Sequence, residues 1–216
     1  MKQRLLLFFT ALMLCMGAKA ATVQVIDGLK YIIYTDQNCA TLTGNNYTQS
    51  EIVIPAEITW EGKTYPVTEL GNSCFKGSSL ISVTIPSSVT SLGGGCFSSC
   101  HSLTSITIPS SVTSLPDRCF FNCYRLTSIT IPESVTSLGD WCFASCSGLA
   151  SITIPSSVTS LGDFCFSNCG NLTFVTIPSS ITSLGDWCFN DCYKLLSVTI
   201  PSSVTSLGSY CFSGCI

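Results

Sequence analysis

The sequence predicts a solenoid: stacked 23-residue rungs whose parallel β-strands and short helical turns share one core, preceded by a small β cap. Three observations predict it. After residue 80 the chain repeats itself at a fixed period of 23 residues. Within each copy the apolar residues sit where a single rung cannot bury them, so neighbouring rungs must cover one another. The composition, 46% hydrophobic and 10% charged, is that of a chain with a packed core.

The elements follow in order. Residues 1–20 read as an export signal. Lys2 and Arg4 precede an apolar run from Leu5 to Met16, too short to span a bilayer, and Ala18-Lys19-Ala20 offers small residues to a signal peptidase. Cys15 follows Leu14, where a lipidation site requires a small residue, and is read as part of the apolar run. Cleavage near Ala20, with a secreted or cell-surface destination, is expected. Residues 21–50 are assigned to the cap and residues 51–216 to the array. A degenerate rung opens the array: Ile52-Val53-Ile54-Pro55, then Leu70 to Phe75. The insertion between them, Ala56 to Glu69, has a Glu61-Gly62 step that predicts a hairpin. Six regular rungs start at Ser82, Ser105, Ser128, Ser151, Phe174 and Ser197, the last cut short at Ile216.

Each rung has a physical reading. In the copy from Ser105, Leu103, Ile106 and Ile108 point inward, so Thr107 between the two isoleucines points out. Pro109 lacks an N–H and ends the strand. Val112 and Leu115 form a second inward pair, and the Gly that usually follows suits a sharp corner. Cys119, Phe120 and Cys123 share one face of a predicted helical turn, and that face is the inner one. Rungs stacked at about 4.8 Å bury these residues as continuous columns.

The pattern L-x-S-I-T-I-P-x-S-V-T-S-L-G-D-x-C-F-x-x-C resembles the BspA-like leucine-rich-repeat family of exported and surface proteins of bacteria and some protists. The resemblance covers residues 51–216, with Cys where family rungs usually carry Ala before the Phe. Val23 to Tyr34, with its Asp27-Gly28 turn, resembles the cap hairpin that often precedes such arrays. The resemblance implies a leucine-rich-repeat solenoid and adhesion to host proteins and cells.

Charge excludes some partners. Cleavage removes Lys2, Arg4 and Lys19, leaving six basic residues against twelve acidic ones, a net charge of −6. Such a chain is a poor nucleic-acid binder, because phosphate neutralisation supplies most of that affinity. It is equally unsuited as a polybasic membrane anchor, and no transmembrane segment is expected in the mature chain.

Several columns could carry chemistry. Twelve cysteines form six Cys-x-x-x-Cys pairs, from Cys96/Cys100 to Cys211/Cys215; Cys74 joins the first column and Cys39 stands apart. Both columns face inward, as buried thiols would, while stacked rungs also bring Cα atoms within disulfide range. Zinc is not expected, since the spacing is not Cys-x-x-Cys and no histidine is placed to help. His101, the only histidine, follows Cys100 but points the other way, so no nucleophile–base dyad forms. Asp117, Asp140, Asp163 and Asp186 share a column; either they cap the N–H groups of their own turn or they hold calcium, and capping is expected. No catalytic site, cofactor or metal is expected.

Two outward columns remain as candidate binding residues. Trp141, Phe164, Trp187 and Tyr210 form an aromatic stripe suited to a protein or glycan partner, or else each merely covers its neighbour. Thr107, Thr130, Thr153 and Thr176 belong to an unbroken threonine ladder from Thr84 to Thr199 on the principal sheet. The expected function is exported, surface-displayed binding or adhesion to an extracellular protein or glycan. A structural spacer is the alternative and an ice-binding solenoid a remote one, against which Phe174 interrupts the neighbouring serine column.

Overall fold

The computed structural model describes residues 21–45 and 49–215, so the expected signal segment and its cleavage point lie outside the described residues. The N-terminal strands β1 (Ala21–Ile26) and β2 (Leu29–Tyr34) pair antiparallel across Asp27 and Gly28, whose φ values of 47° and 71° are those a tight two-residue hairpin needs. β3 (Cys39–Asn45) adds to β2 with a bulge at Lys30/Tyr31. After β4 (Glu51–Val53), β5 (Glu57–Trp60) and β6 (Lys63–Leu70) form the hairpin around Glu61-Gly62, again with both turn residues at positive φ.

The array then alternates two short strands per rung. The principal column is β4 followed by β7 (Ser82–Thr84), β9 (Ser105–Thr107), β11 (Ser128–Thr130), β13 (Ser151–Thr153), β15 (Phe174–Thr176) and β17 (Ser197–Thr199). Its pairings are parallel, with a 31-residue register for β4 against β7 across the hairpin insertion and a 23-residue register beyond, as Ile129 against Ile106 and Val175 against Ile152. The second column holds β8 (Ser91–Leu92), β10 (Ser114–Leu115), β12 (Ser137–Leu138), β14 (Ser160–Leu161), β16 (Ser183–Leu184) and β18 (Ser206–Leu207), also parallel. The cap is continuous with this second column. β3 runs parallel to β6, and the last two residues of β6 pair with β8.

The third side of the rung departs from expectation: it is not helical. Two residues of each turn, four apart, take left-handed backbone. Trp141 (φ 59°) and Ser145 (φ 60°) are left-handed, as are Phe164 and Asn168 one rung on. With these residues in place, every second amide points along the rod. Cys142 N–H bonds back to Gly139 O, whereas the N–H groups of Trp141, Phe143 and Ser145 donate to Asp163, Cys165 and Ser167 of the next rung. A helix would spend all of these amides within the rung. The alternating turn makes this side a third hydrogen-bonded ladder, and the orphan groups of each turn are satisfied by its neighbour.

The core runs the length of the rod. Phe75, Phe97, Phe120, Phe143, Phe166 and Phe189 are fully buried and continue into the half-buried Phe212; successive rings lie 5.3–5.5 Å apart and within 8° of parallel. Hydroxyls stitch the rungs at the edge: Ser111, Ser134, Ser157, Ser180 and Ser203 each donate to a carbonyl of the preceding rung, from Val89 to Ile181.

One half-buried carboxyl sits where cap and array join. Thr41 Oγ1 donates to Glu69 Oε2 at 3.2 Å, and burial raises the Glu69 pKa, which that bond only partly offsets. The nearby Tyr34 hydroxyl is also raised, by burial first and by the Glu69 charge second. A carboxyl whose folded pKa lies above its unfolded value binds protons more readily when folded. Its contribution is therefore present at low pH and lost as pH rises through the folded pKa. Acidifying from about pH 7.5 to about pH 5 should raise the urea midpoint of the native chain, and Glu69→Gln should flatten that slope. An identical pH slope in the variant would assign the effect to other groups.

Candidate binding surface

The thiols are internal. All thirteen cysteines from Cys74 to Cys215 are free, and all but Cys215 are buried. In the second column the Sγ–H of Cys100, Cys123, Cys146, Cys169, Cys192 and Cys215 donates to the carbonyl of a preceding phenylalanine, Phe75 through Phe189, at 3.1–3.3 Å. Burial pushes the thiols from Cys96 to Cys215 up, Cys211 to about 11 and Cys192 to about 12, which disfavours their reactive thiolates near neutrality. Thiol reagent added to native protein should therefore find almost no fast-reacting groups in the array, and denaturation without reductant should expose at least twelve. Few thiols after denaturation would mean that the columns are cross-linked.

The remaining polar columns resolve in the same way. His101 Nε2 lies 3.1 Å from the Asn122 Nδ2 donor, and its ring stacks on Tyr124 at 4.7 Å. Cys100 instead meets Ser78 and the Phe75 carbonyl, so imidazole and thiol share no proton. The aspartates do cap amides, but not those of their own turn. Oδ1 of Asp117, Asp140, Asp163 and Asp186 accepts from the N–H of Asp140, Asp163, Asp186 and Ser209, each one rung further along, at 2.6–2.9 Å. The left-handed residue that follows each aspartate turns the amides along the rod, which is why the cap reaches the neighbour. Among the described residues, no group of three or more His, Cys, Asp or Glu side chains is disposed to hold a metal ion. A cavity of about 440 Å³ between cap and first rung is lined mainly by Ile26, Leu29, Tyr31, Ile52, Ile58 and Glu57, without a nucleophile–base pair.

The two outward columns differ in kind. The threonines at 84, 107, 130, 153, 176 and 199 are exposed, and their hydroxyls make no hydrogen bond among the described residues. The threonines at 136, 159 and 205, on another face, donate theirs to the carbonyl of the preceding rung. Sequence alone does not separate these two ladders, because both are threonine every 23 residues. Phe174 stands exposed beside the free ladder, and Leu196, 82% exposed, lies next to it.

Trp141, Phe164, Trp187 and Tyr210 stack on one another. Ring centroids are 4.1 Å apart for Trp141/Phe164, 5.9 Å for Phe164/Trp187 and 4.4 Å for Trp187/Tyr210, all within 20° of parallel. Phe121 closes the near end edge-on against Trp141 at 6.1 Å. The first three rings are consequently half-buried, and Tyr210 is 64% exposed. The column presents ring edges, with most faces used by neighbouring rings.

Comparison places the chain. The model of the BspA type leucine rich repeat region matches residues 68–196 in six copies, more than half of the sequence. The chain belongs to this family. A leucine-rich-repeat protein of T. pallidum superposes with a TM-score of 0.81 at 28% identity, covering 90% of this chain and 89% of that one. One from Bacteroides ovatus gives 0.76 at 28% identity, covering 89% of this chain and 57% of its own. One from Eubacterium ventriosum gives 0.73 at 25%, covering 90% and 50%. This chain thus spans nearly all of the first relative and about half of the other two. No curated protein matches it. The repeat fold of the family is a binding or scaffolding architecture rather than a catalytic one, and no helix among the described residues is long and apolar enough to cross a membrane.

Proposed function

We propose that the chain is an exported, surface-displayed adhesion protein that binds an extracellular protein through the aromatic stripe. The observation that carries this reading is the backbone under the rings. Trp141, Phe164, Trp187 and Tyr210 all sit at φ between 56° and 59°, a conformation costing a bulky residue about 1–2 kcal/mol. The same position holds Gly95 and Ser73 in earlier rungs, so the rung closes without a ring. Four consecutive aromatics at the position least suited to them fit a surface kept for contact. A protein is favoured over a glycan because sugars stack on ring faces, and most of these faces are occupied by neighbouring rings. Export rests on the family and on the sequence of residues 1–20.

The stacking itself favours the second reading, a structural spacer, since each ring shields the next. Binding of the purified chain to a panel of extracellular-matrix proteins, beside a Trp141→Ala/Trp187→Ala variant, separates the two. A spacer binds none of the panel; the proposed adhesin binds at least one and loses it in the variant.

A further inference from the structure

Among the regular rungs, the third side of the rod carries one interruption. In four rungs the residues before the inner cysteine are Asp117-Arg118, Asp140-Trp141, Asp163-Phe164 and Asp186-Trp187; in the first regular rung they are Gly94-Gly95. Both the carboxylate and the large side chain are missing there. What remains is an open notch of about 310 Å³, walled by Ser73 and Lys76 on one side and by Asp117 and Arg118 on the other. This volume lies at the small end of the range for ligand sites and is enough to take one side chain.

The charge in the notch is unusual for this chain. Only six basic residues lie beyond residue 20, and two of them line this one cavity. Neither Lys76 nor Arg118 makes a side-chain hydrogen bond or ion pair among the described residues. The acidic wall is partly engaged, because Asp117 Oδ1 already accepts the Asp140 N–H at 2.9 Å. Two unpaired cations over a gap with one occupied carboxylate favour an anionic guest, and an arginine fork presents paired donors to a carboxylate.

We propose that the Gly94-Gly95 notch is a carboxylate-binding site that receives an acidic side chain of a protein partner; this rests on the reading of the chain as a protein binder. Position selects a peptide. Arg118 occupies the same column as Trp141 and directly precedes it, so a segment seated in the notch continues along the ring edges. Apolar side chains can lie against those edges, whereas an acidic sugar would need a free ring face beside its carboxylate, and Trp141 has Phe164 on one face and Phe121 at the other. The stripe supplies apolar area, and the notch supplies direction and register.

The test uses the full chain and a fluorescent decapeptide of alternating glutamate and leucine. The peptide should bind, weaken as salt rises from about 50 mM to about 300 mM, and bind at least tenfold more weakly when every glutamate is glutamine. Lys76→Gln with Arg118→Gln should also lose at least tenfold. A second variant, Gly94→Asp with Gly95→Trp, gives this rung the residues of its neighbours. It fits the fold, because a Cβ at Gly94 or Gly95 meets nothing nearer than 3.5 Å, and Gly95 already has φ 63°, close to the 59° of Trp141. It should abolish peptide binding by filling the notch. Equal binding by wild type and either variant, or no preference for glutamate over glutamine, would overturn the proposal. Preferential binding of hyaluronan, dependent on Lys76 and Arg118, would also overturn it, in favour of a sugar acid. Failure of the peptide arms leaves the double-tryptophan result on the matrix panel standing, so the two readings fail separately.

Discussion

Phe143→Ala is expected to lower the stability of the chain by about 3–5 kcal/mol. The Phe143 ring is fully buried between Phe120 and Phe166, 5.4 Å from each and within 8° of parallel to both. Removing it deletes a large apolar surface and leaves a cavity. The flanking rings cannot close it, because Phe120 is held by Phe97 and Phe166 by Phe189 on their far sides. A rod adds a second cost. Each rung contacts only its neighbours, so a gap in the middle weakens the interface on both sides and uncouples the two ends. Urea denaturation followed by circular dichroism should show a lower midpoint and a broader transition. Phe212, half-buried with a ring neighbour on one side only, should cost clearly less when changed to alanine. Equal losses at the two positions would show that the ring column does not act as one continuous core.

The parts of this fold that were legible in the sequence are those repetition makes redundant. Six copies fix the inward positions: Leu103, Ile106, Val112, Leu115, Cys119, Phe120 and Cys123 are all buried as the period requires. The hairpin turns at Asp27-Gly28 and Glu61-Gly62 were legible because glycine there has a specific backbone reason. The third side reads as a helical turn because Cys-Phe-x-x-Cys has helical spacing, and no residue type in it announces left-handed backbone. Trp141 and Phe164 argue against that conformation, and only the inter-rung bonds of their amides repay it. The aspartates were placed correctly and their partners were not, because the direction of those amides follows from the same unforeseen turn. β3 is not legible for another reason: Cys39 to Asn45 is mostly small and threonine-rich, its pairing to β2 carries a bulge, and it gains its place from β6, which is remote in sequence. The stripe was legible as a column, but the orientation of its rings was not, since face-to-face and splayed arrangements share one pattern.

That orientation sets the terms on which the aromatic and threonine faces can be told apart. Replacing Trp141 and Trp187 together by alanine should weaken binding to the matrix protein found in the panel by at least about 2 kcal/mol, roughly thirtyfold, if the rings centre the interface. Two rings are changed at once because a partner lying along the rod meets several of them, and each alone contributes modestly. The fold should survive, since the position already accepts Gly95 and the inner Phe column is untouched. Circular dichroism and the urea midpoint check this before affinity is read. The threonine face predicts the opposite pattern. Its hydroxyls are unengaged and its surface is open, so Thr130, Thr153 and Thr176 changed to lysine would place three bulky charges across the contact and block it. In that case the double tryptophan variant would bind as wild type does. Unchanged affinity in a folded double variant removes the stripe as the binding surface, and unchanged affinity in the folded triple lysine variant removes the threonine ladder. Loss in both would describe a partner wide enough to wrap from the strand face onto the turn face.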